Sequence, residues 1–337
     1  MKLPWPDLSS WSLPRTAWTQ AEITTRCNAA CIYCPRTAYR DAWRDRSLSP
    51  AMFRRLLPAL KKTRLVHLQG WGEPFLHPDF FTLTALAREA GCRVSTTTNG
   101  MLLDEEKLRL VIASGMDVIA FSLAGLEDNH DRCRPGTSFR KVLEAIQALN
   151  RLKAREGRAT PQVHIAYLLL KSGLGDLEKL PSILSGLGVH QVVISTLDFV
   201  PSRELTAESF LNPTRAEYAE LQARLVETAA MATEAGVPVH YHLQPFTGRG
   251  LLCPENPHRA FFLAADGAVS PCVFTNLPAD RVRYWGQNGE QPYQPLIFGN
   301  LLDQHLGAIW RRKAYVNFRR AFFTGRPATP CRHCLKL

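Results

Sequence analysis

Cys27-Asn28-Ala29-Ala30-Cys31-Ile32-Tyr33-Cys34 brings three thiols together with gaps of three residues and two. Thiols this close cannot pair internally and still leave a relaxed loop, but they can wrap one face of a metal cluster. Three thiolates on a four-iron cube leave one iron without a protein ligand, open to a small molecule. A closed zinc site is the competing reading and needs a fourth ligand. The nearest histidine along the chain is His67, so that ligand would be distant in sequence. Three unliganded buried thiols suit this spacing least.

Outward from the triplet the chain alternates between strand and helix patterns. Residues 1–20, rich in Pro, Trp and Ser, read as an irregular cap, and 21–25 as a short strand that delivers the chain to the triplet. Ser49-Pro50 supply an N-cap and a first-turn proline for a helix through 62. Strands are expected at 64–69, 93–97, 118–123, 162–170 and 191–195, with helices at 78–90, 104–114, 138–152 and 176–187. Six such units imply an α/β fold, a parallel sheet covered by helices. Periodicity leaves open whether that sheet is doubly wound or a partial barrel.

After Val200-Pro201 the composition shifts, and Asn212-Pro213 lead into a long helix over 214–235, closed by Gly236 and Pro238. From 251 onward Gly, Pro and Cys set the pattern, and a small irregular unit of that kind uses metal as a staple in place of a large apolar core. The expected division is therefore 1–200, a helical linker over 201–250, and a Cys-rich unit over 251–337.

The Cys-x3-Cys-x2-Cys spacing with Tyr33 before the last cysteine resembles the signature loop of the radical S-adenosylmethionine (radical SAM) superfamily. The resemblance implies a six-unit (β/α) partial TIM-type barrel with its chemistry at the C-terminal ends of the strands. It also implies that Cys27, Cys31 and Cys34 hold a [4Fe-4S] cluster whose open iron chelates SAM. Reductive cleavage of SAM then gives a 5′-deoxyadenosyl radical that removes a substrate hydrogen atom. Tyr33 matches the aromatic position near the adenine.

Gly72-Glu73-Pro74 is similar to the family's Gly-Gly-Glu-Pro motif, which holds the SAM amino group largely through backbone atoms. Alone it is a turn in which Gly permits close approach and Pro fixes the chain. Trp71 stands where the first Gly is usual, so Gly70 is expected to absorb the local backbone demand. Thr96-Thr97-Thr98-Asn99-Gly100 reads equally as a pocket lining or a turn; in relatives the Asn, here Asn99, faces the active-site mouth. Phe121-Ser122-Leu123-Ala124-Gly125 and His130-Asp131-Arg132-Cys133-Arg134 resemble the family's Ser-Ile-Asp-Gly and His-Asp-x-x-Arg stretch. That assigns SAM contacts to Ser122 and to Arg134, whose planar fork suits a carboxylate. Ala124 replaces the usual Asp. His130 and Asp131 are expected to be structural caps.

Cys253, Cys272 in Gly267-Ala268-Val269-Ser270-Pro271-Cys272, and the pair in Cys331-Arg332-His333-Cys334 can close either a zinc or an iron–sulfur site. With Gly299-Asn300 and Trp310, they resemble the SPASM/Twitch extension of radical SAM enzymes. Four ligands match the Twitch form with one auxiliary [4Fe-4S] cluster. Such a thiolate-closed cluster suits electron transfer, which favours a net oxidation (dehydrogenation or bond formation) of a small molecule or a peptide. A redox-neutral epimerase, with Cys133 as hydrogen-atom donor, is one alternative, and a non-catalytic zinc- and SAM-binding scaffold is another. An electron donor such as flavodoxin or ferredoxin is implied. With 26 residues before Cys27, a fused leader-peptide-recognition domain is not expected, and a separate protein could supply one. Cys92 is expected to be a small buried hydrophobe, and His240 and His242 ordinary strand histidines or substrate contacts.

Composition narrows the rest. In 337 residues, 45% are hydrophobic and 21% charged, a globular balance with room for a full core. No apolar run is long enough to span a membrane, and no h-region of a signal peptide opens the chain, so a cytoplasmic protein is expected. Nine cysteines in a reducing compartment point to metal ligation over disulfides. The net charge of +11 favours an anionic substrate or an acidic reductant. No zinc-finger, RNP or helix-turn-helix pattern accompanies it, which argues against nucleic acid.

Overall fold

Short β-branched runs capped by helices build the architecture, described for residues 15–246, 253–323, 325–332 and 334–336 in a computed structural model. Strands β1 (Thr16–Ala21), β2 (Thr63–Leu68), β3 (Arg93–Thr98), β4 (Val118–Leu123), β5 (Gln162–Leu169) and β6 (Gln191–Thr196) lie side by side in sequence order. All of these pairings are parallel. β7 (Val239–Tyr241) adds in parallel to β6. At the other edge β8 (Ala260–Leu263) pairs in parallel with β1, and β9 (Ala268–Ser270) and β12 (Gly299–Asn300) follow antiparallel. β7 and β12 are the two ends of this ten-stranded sheet, so the barrel is partial. β10 (Arg283–Gly286) and β11 (Gly289–Pro292) form a separate hairpin.

The expected strand at 21–25 lies earlier. β1 is Thr16–Ala21, inside the stretch read as a cap, and Thr24 makes only an isolated bridge to Ser47. Polar residues disguised it. Thr16 pairs its hydroxyl with Thr63 at 2.7 Å and Gln20 donates to Gln69 at 2.8 Å, so a strand flanked on both sides buries polar groups that satisfy one another. Residues 1–14 of that expected cap lie outside the described residues.

Capping sets the helices. Asp104 accepts from the Lys107 N–H at 2.8 Å ahead of Glu105–Ala113, and Thr214 and Glu217 form a capping box ahead of Arg215–Glu234. Two expected helices are broken. The one through 62 splits into Pro50–Arg54 and Leu57–Leu60, because Pro58 has no N–H to continue the ladder. The one over 176–187 is a 3-10 stretch, Lys171–Glu178, then the short Leu180–Leu184, since Pro181 has no N–H to continue the preceding turn.

The C-terminal unit does rest on an apolar core, contrary to expectation. Phe261, Leu263, Val269, Trp310 and Tyr315 belong to the same buried cluster as the barrel residues. Phe298 stacks on Tyr315 at 4.0 Å between ring centres, and the Arg319 guanidinium lies 4.0 Å from the centre of the Trp310 ring. Its aromatic residues lack a regular period, which hid them from pattern reading. Among the described residues no helix is long and apolar enough to cross a membrane.

Candidate active site

The loops at the C-terminal ends of the parallel strands converge on one cavity of about 300 Å³. The loop after β1 carries Cys27, Cys31 and Cys34, all lining that cavity. It is fixed from both sides. Trp43 donates its indole N–H to Thr25 O at 3.2 Å, while the backbone N–H groups of Ala30 and Ile32 donate to Pro135 O and Cys133 O at 2.8 and 3.0 Å. Burial, helped by the neighbouring Cys31, pushes the Cys34 thiol up to about 12. Crowded thiols that cannot ionise alone become good ligands once a cationic group supplies the missing charge.

The turn after β2 carries Gly72 and Glu73. A Cβ at Gly72 would lie 2.4 Å from Thr24 O and 2.5 Å from Arg26 O, so only glycine lets this turn press against the segment entering the thiol loop. The Glu73 N–H donates to Arg26 O at 2.8 Å. Its carboxylate is buried and accepts from the Thr98 hydroxyl (2.7 Å), the Asn99 N–H (2.8 Å) and the Phe75 N–H (3.3 Å). Glu73 therefore ties the β2 and β3 loops together. Pro74 does not line the cavity; it starts the 3-10 turn Pro74–Leu76 that Glu73 caps.

Asn99 donates to Asn28 at 2.9 Å inside the thiol loop. Ser122 and Arg134 reach the same cavity from β4 and the segment after it. Arg134 is buried and donates through Nη1 to the Tyr33 hydroxyl at 2.7 Å, while its Nε has no protein partner. A buried guanidinium at a cavity wall suits a carboxylate ligand. The structure thus gathers Tyr33, Gly72, Glu73, Asn99, Ser122, Arg134 and the three cysteines round one space.

His130 is buried and Asp131 exposed, and both serve as caps. His130 contacts the Ala124 N–H and the Thr137 hydroxyl, and Asp131 accepts from the Phe139 N–H at 2.7 Å. Near Ala124, Asp176 accepts from the Leu126 N–H and from Asn129. Cys133 packs in an apolar cluster with Ala124, Leu170 and Leu197, and Cys92 in the main core. His240 and His242 are exposed.

Trp71 sits edge-on to Trp43 and to Phe274, at ring-centre distances of 6.5 and 5.7 Å. Phe274 brings the wall to the second cysteine set. Cys253, Cys272, Cys331 and Cys334 line one cavity of about 150 Å³. Burial, reinforced by the neighbouring thiols, pushes Cys331 up to about 12. Asp198, Phe199, Phe274 and Lys336 line both cavities, so the two cysteine-lined cavities share a wall. Among the described residues no three His, Cys, Asp or Glu side chains converge tightly enough for one ion. Four thiols lining one cavity suit a thiolate-ligated cluster.

Glu22, just after β1, had no signal in the sequence. It is buried and accepts from the Trp71 N–H (3.0 Å) and the Ala265 N–H (3.2 Å), joining the β2 loop to the C-terminal unit. Burial pushes its carboxyl up to about 7, with Asp266 acting in the same sense and Arg46 and the two N–H groups against it. A folded-state value above the ordinary 4.5 means that the native chain keeps a proton the unfolded chain releases. Its stabilising contribution is full below about pH 4.5 and is lost as the pH rises to 7, at a cost of about 3 kcal/mol. Glu22→Gln should flatten this part of the pH dependence of thermal unfolding; a slope equal to that of the parent chain would contradict the assignment.

A family model for the radical SAM superfamily matches residues 21–180, and one for an iron–sulfur cluster-binding (SPASM) domain matches 253–335. The chain is 25% identical over 304 residues to a tungsten-containing aldehyde ferredoxin oxidoreductase cofactor-modifying protein of Pyrococcus furiosus, covering 88% of this chain and 82% of that one. It is 26% identical over 341 residues to PqqA peptide cyclase of Gluconobacter oxydans, covering 99% and 84%. The crystal structure of Streptococcus suis SuiB bound to S-adenosylmethionine superposes with a TM-score of 0.66 at 14% identity, over 91% of this chain and 68% of that one. At that identity the likeness is one of fold.

Proposed function

Because this chain belongs to the radical SAM superfamily and carries its SPASM/Twitch-type C-terminal unit, we propose that it catalyses a net oxidation, forming a bond or a double bond within a peptide substrate. These two units imply SAM and two [4Fe-4S] clusters. We assign the first cluster to Cys27, Cys31 and Cys34 and the second to Cys253, Cys272, Cys331 and Cys334. When bound, these groups supply hydrogen-atom abstraction and a one-electron acceptor. The observation that carries the reading is the wall that the two cysteine-lined cavities share, formed by Asp198, Phe199, Phe274 and Lys336.

The chain's own residues then bind and orient. Gly72 leaves main-chain atoms open to the amino group of SAM, Arg134 offers its guanidinium to the carboxylate, and Tyr33 and Ser122 complete that wall. Glu73 acts by positioning, since its oxygens are already occupied by the β3 loop. Leu168, Leu197 and Phe199 keep water from the side facing the substrate. A further cavity of about 370 Å³ shares Thr196, Leu197 and Asp198 with the first and is walled by Phe210, Tyr218 and Leu243. It offers room for a peptide side chain, and the relative named PqqA peptide cyclase acts on a peptide by its name. We place the radical SAM unit at 1–200, the connection at 201–250 and the auxiliary unit at 251–337, in the cytoplasm, with flavodoxin or ferredoxin as electron donor.

The test is anaerobic turnover with SAM, a reductant and candidate peptides. 5′-Deoxyadenosine together with a product lighter by a pair of hydrogens supports the proposal. A product of unchanged mass that takes up solvent deuterium would make the enzyme an epimerase, and loaded protein that never cleaves SAM would make it a scaffold. Within the site, Arg134→Lys keeps the charge but loses the fork, and SAM affinity should fall about tenfold, or ~1.4 kcal/mol, by calorimetry. Unchanged affinity would remove Arg134 from the SAM wall.

A further inference from the structure

Lys336 lies two residues beyond Cys334, and its ammonium is buried between two carboxylates. Its side chain is 16% exposed; Nζ is 3.3 Å from Asp198 Oδ2 and also bonded to Glu255 Oε1. Nζ further lies 4.9 Å from the centre of the Phe274 ring. The two acids are each 12% exposed. Buried charges of this kind are rare, and they persist where each has a partner. The three come from separate places: Asp198 follows β6, Glu255 lies two residues after Cys253, and Lys336 lies near the end of the chain. No strand or helix of the fold requires them. What they share is position, since all three line the C-terminal cysteine cavity and Asp198 and Lys336 also line the SAM-side cavity.

We propose, resting on the two-cluster reading above, that the Asp198–Lys336–Glu255 triad sets the reduction potential of the cluster held by the four C-terminal cysteines and so poises it to accept an electron from the neighbouring cavity. Four thiolates make the cluster's surroundings strongly negative, and each added electron increases the repulsion. In a poorly solvated wall, a fixed cation favours the reduced form and a fixed carboxylate opposes it. The electron concerned leaves a substrate that has already lost a hydrogen atom. That substrate gives one electron to the cluster and one proton to water, so the oxidation balances as the loss of two hydrogens. Asp198, which faces both cavities, links the charge beside the cluster to whatever lies against it on the substrate side.

Charge variants give opposite signs, which a merely structural role would not. The measurement is an EPR-monitored redox titration of the anaerobically reconstituted full chain. Lys336→Met should move the midpoint potential of the C-terminal cluster to more negative values and Asp198→Asn to more positive ones, while Lys336→Arg stays near the parent. Unmoved potentials, or shifts of the same sign in both variants, would overturn the proposal while leaving the two-cluster reading intact. If Lys336→Met fails to assemble the cluster, Asp198→Asn decides alone: a positive shift supports the triad and no shift overturns it. A parent chain that binds only about four irons, with one EPR signal, would overturn the cluster assignment and the triad with it.

Discussion

Replacing Cys27, Cys31 and Cys34 together by alanine is expected to abolish SAM cleavage while leaving about four of roughly eight irons per chain. The reason is spatial. The triplet sits on one loop after β1, fixed by bonds to Pro135 O and Cys133 O, and none of those bonds involves the second cysteine set. The second set draws its thiols from the chain before β8, from the segment after β9 and from the C-terminal turn. Each set should therefore load without the other. Cys331→Ala with Cys334→Ala should show the converse: 5′-deoxyadenosine still forms, but the oxidised product does not. Iron and sulfide analysis beside a 5′-deoxyadenosine assay checks both halves. Equal loss of iron and of SAM cleavage in the two variants would mean that the sets act as one centre.

Gly72→Ala carries the second large effect. The added Cβ would meet Thr24 O, Arg26 O and Arg26 N at 2.4, 2.5 and 2.9 Å, all backbone atoms that cannot rotate away. Relief requires the turn to lift from the entry to the thiol loop, which breaks the bond from the Glu73 N–H to Arg26 O and pulls Glu73 from Thr98 and Asn99. SAM affinity should fall about a hundredfold, or ~2.7 kcal/mol, with a loss of stability of roughly 3 kcal/mol. Gly175→Ala is the control. Nothing lies within 4 Å of a Cβ there, and it should change neither quantity. Parent-like SAM binding by Gly72→Ala would show that the turn does not shape the SAM wall.

Much of this was legible in the sequence where the signal was local. The thiol triplet, Gly72-Glu73-Pro74 and the strands from β2 to β6 each declare themselves within a few residues. β1 did not, because Thr16, Thr19 and Gln20 are buried polar groups, and the partners of Thr16 and Gln20 lie on or just beyond the neighbouring strand. Nor could periodicity show that β8 would return to pair with β1, a contact between segments about 240 residues apart. The isolated charges were the least visible part. Glu22, Asp176, Asp198 and Lys336 belong to no motif, and each acquires meaning only when folding brings a backbone N–H or an opposite charge to it. The C-terminal unit was misjudged for a related reason: its aromatic core is assembled from single residues without a repeat.

The most direct test of the account is EPR of the anaerobically reconstituted and reduced protein, recorded with and without SAM. Two reduced-cluster signals are expected, and SAM should alter only the one that disappears when Cys27, Cys31 and Cys34 are replaced. A spectrum indifferent to SAM, or a SAM-sensitive signal that survives loss of the triplet, would contradict the assignment of the catalytic site.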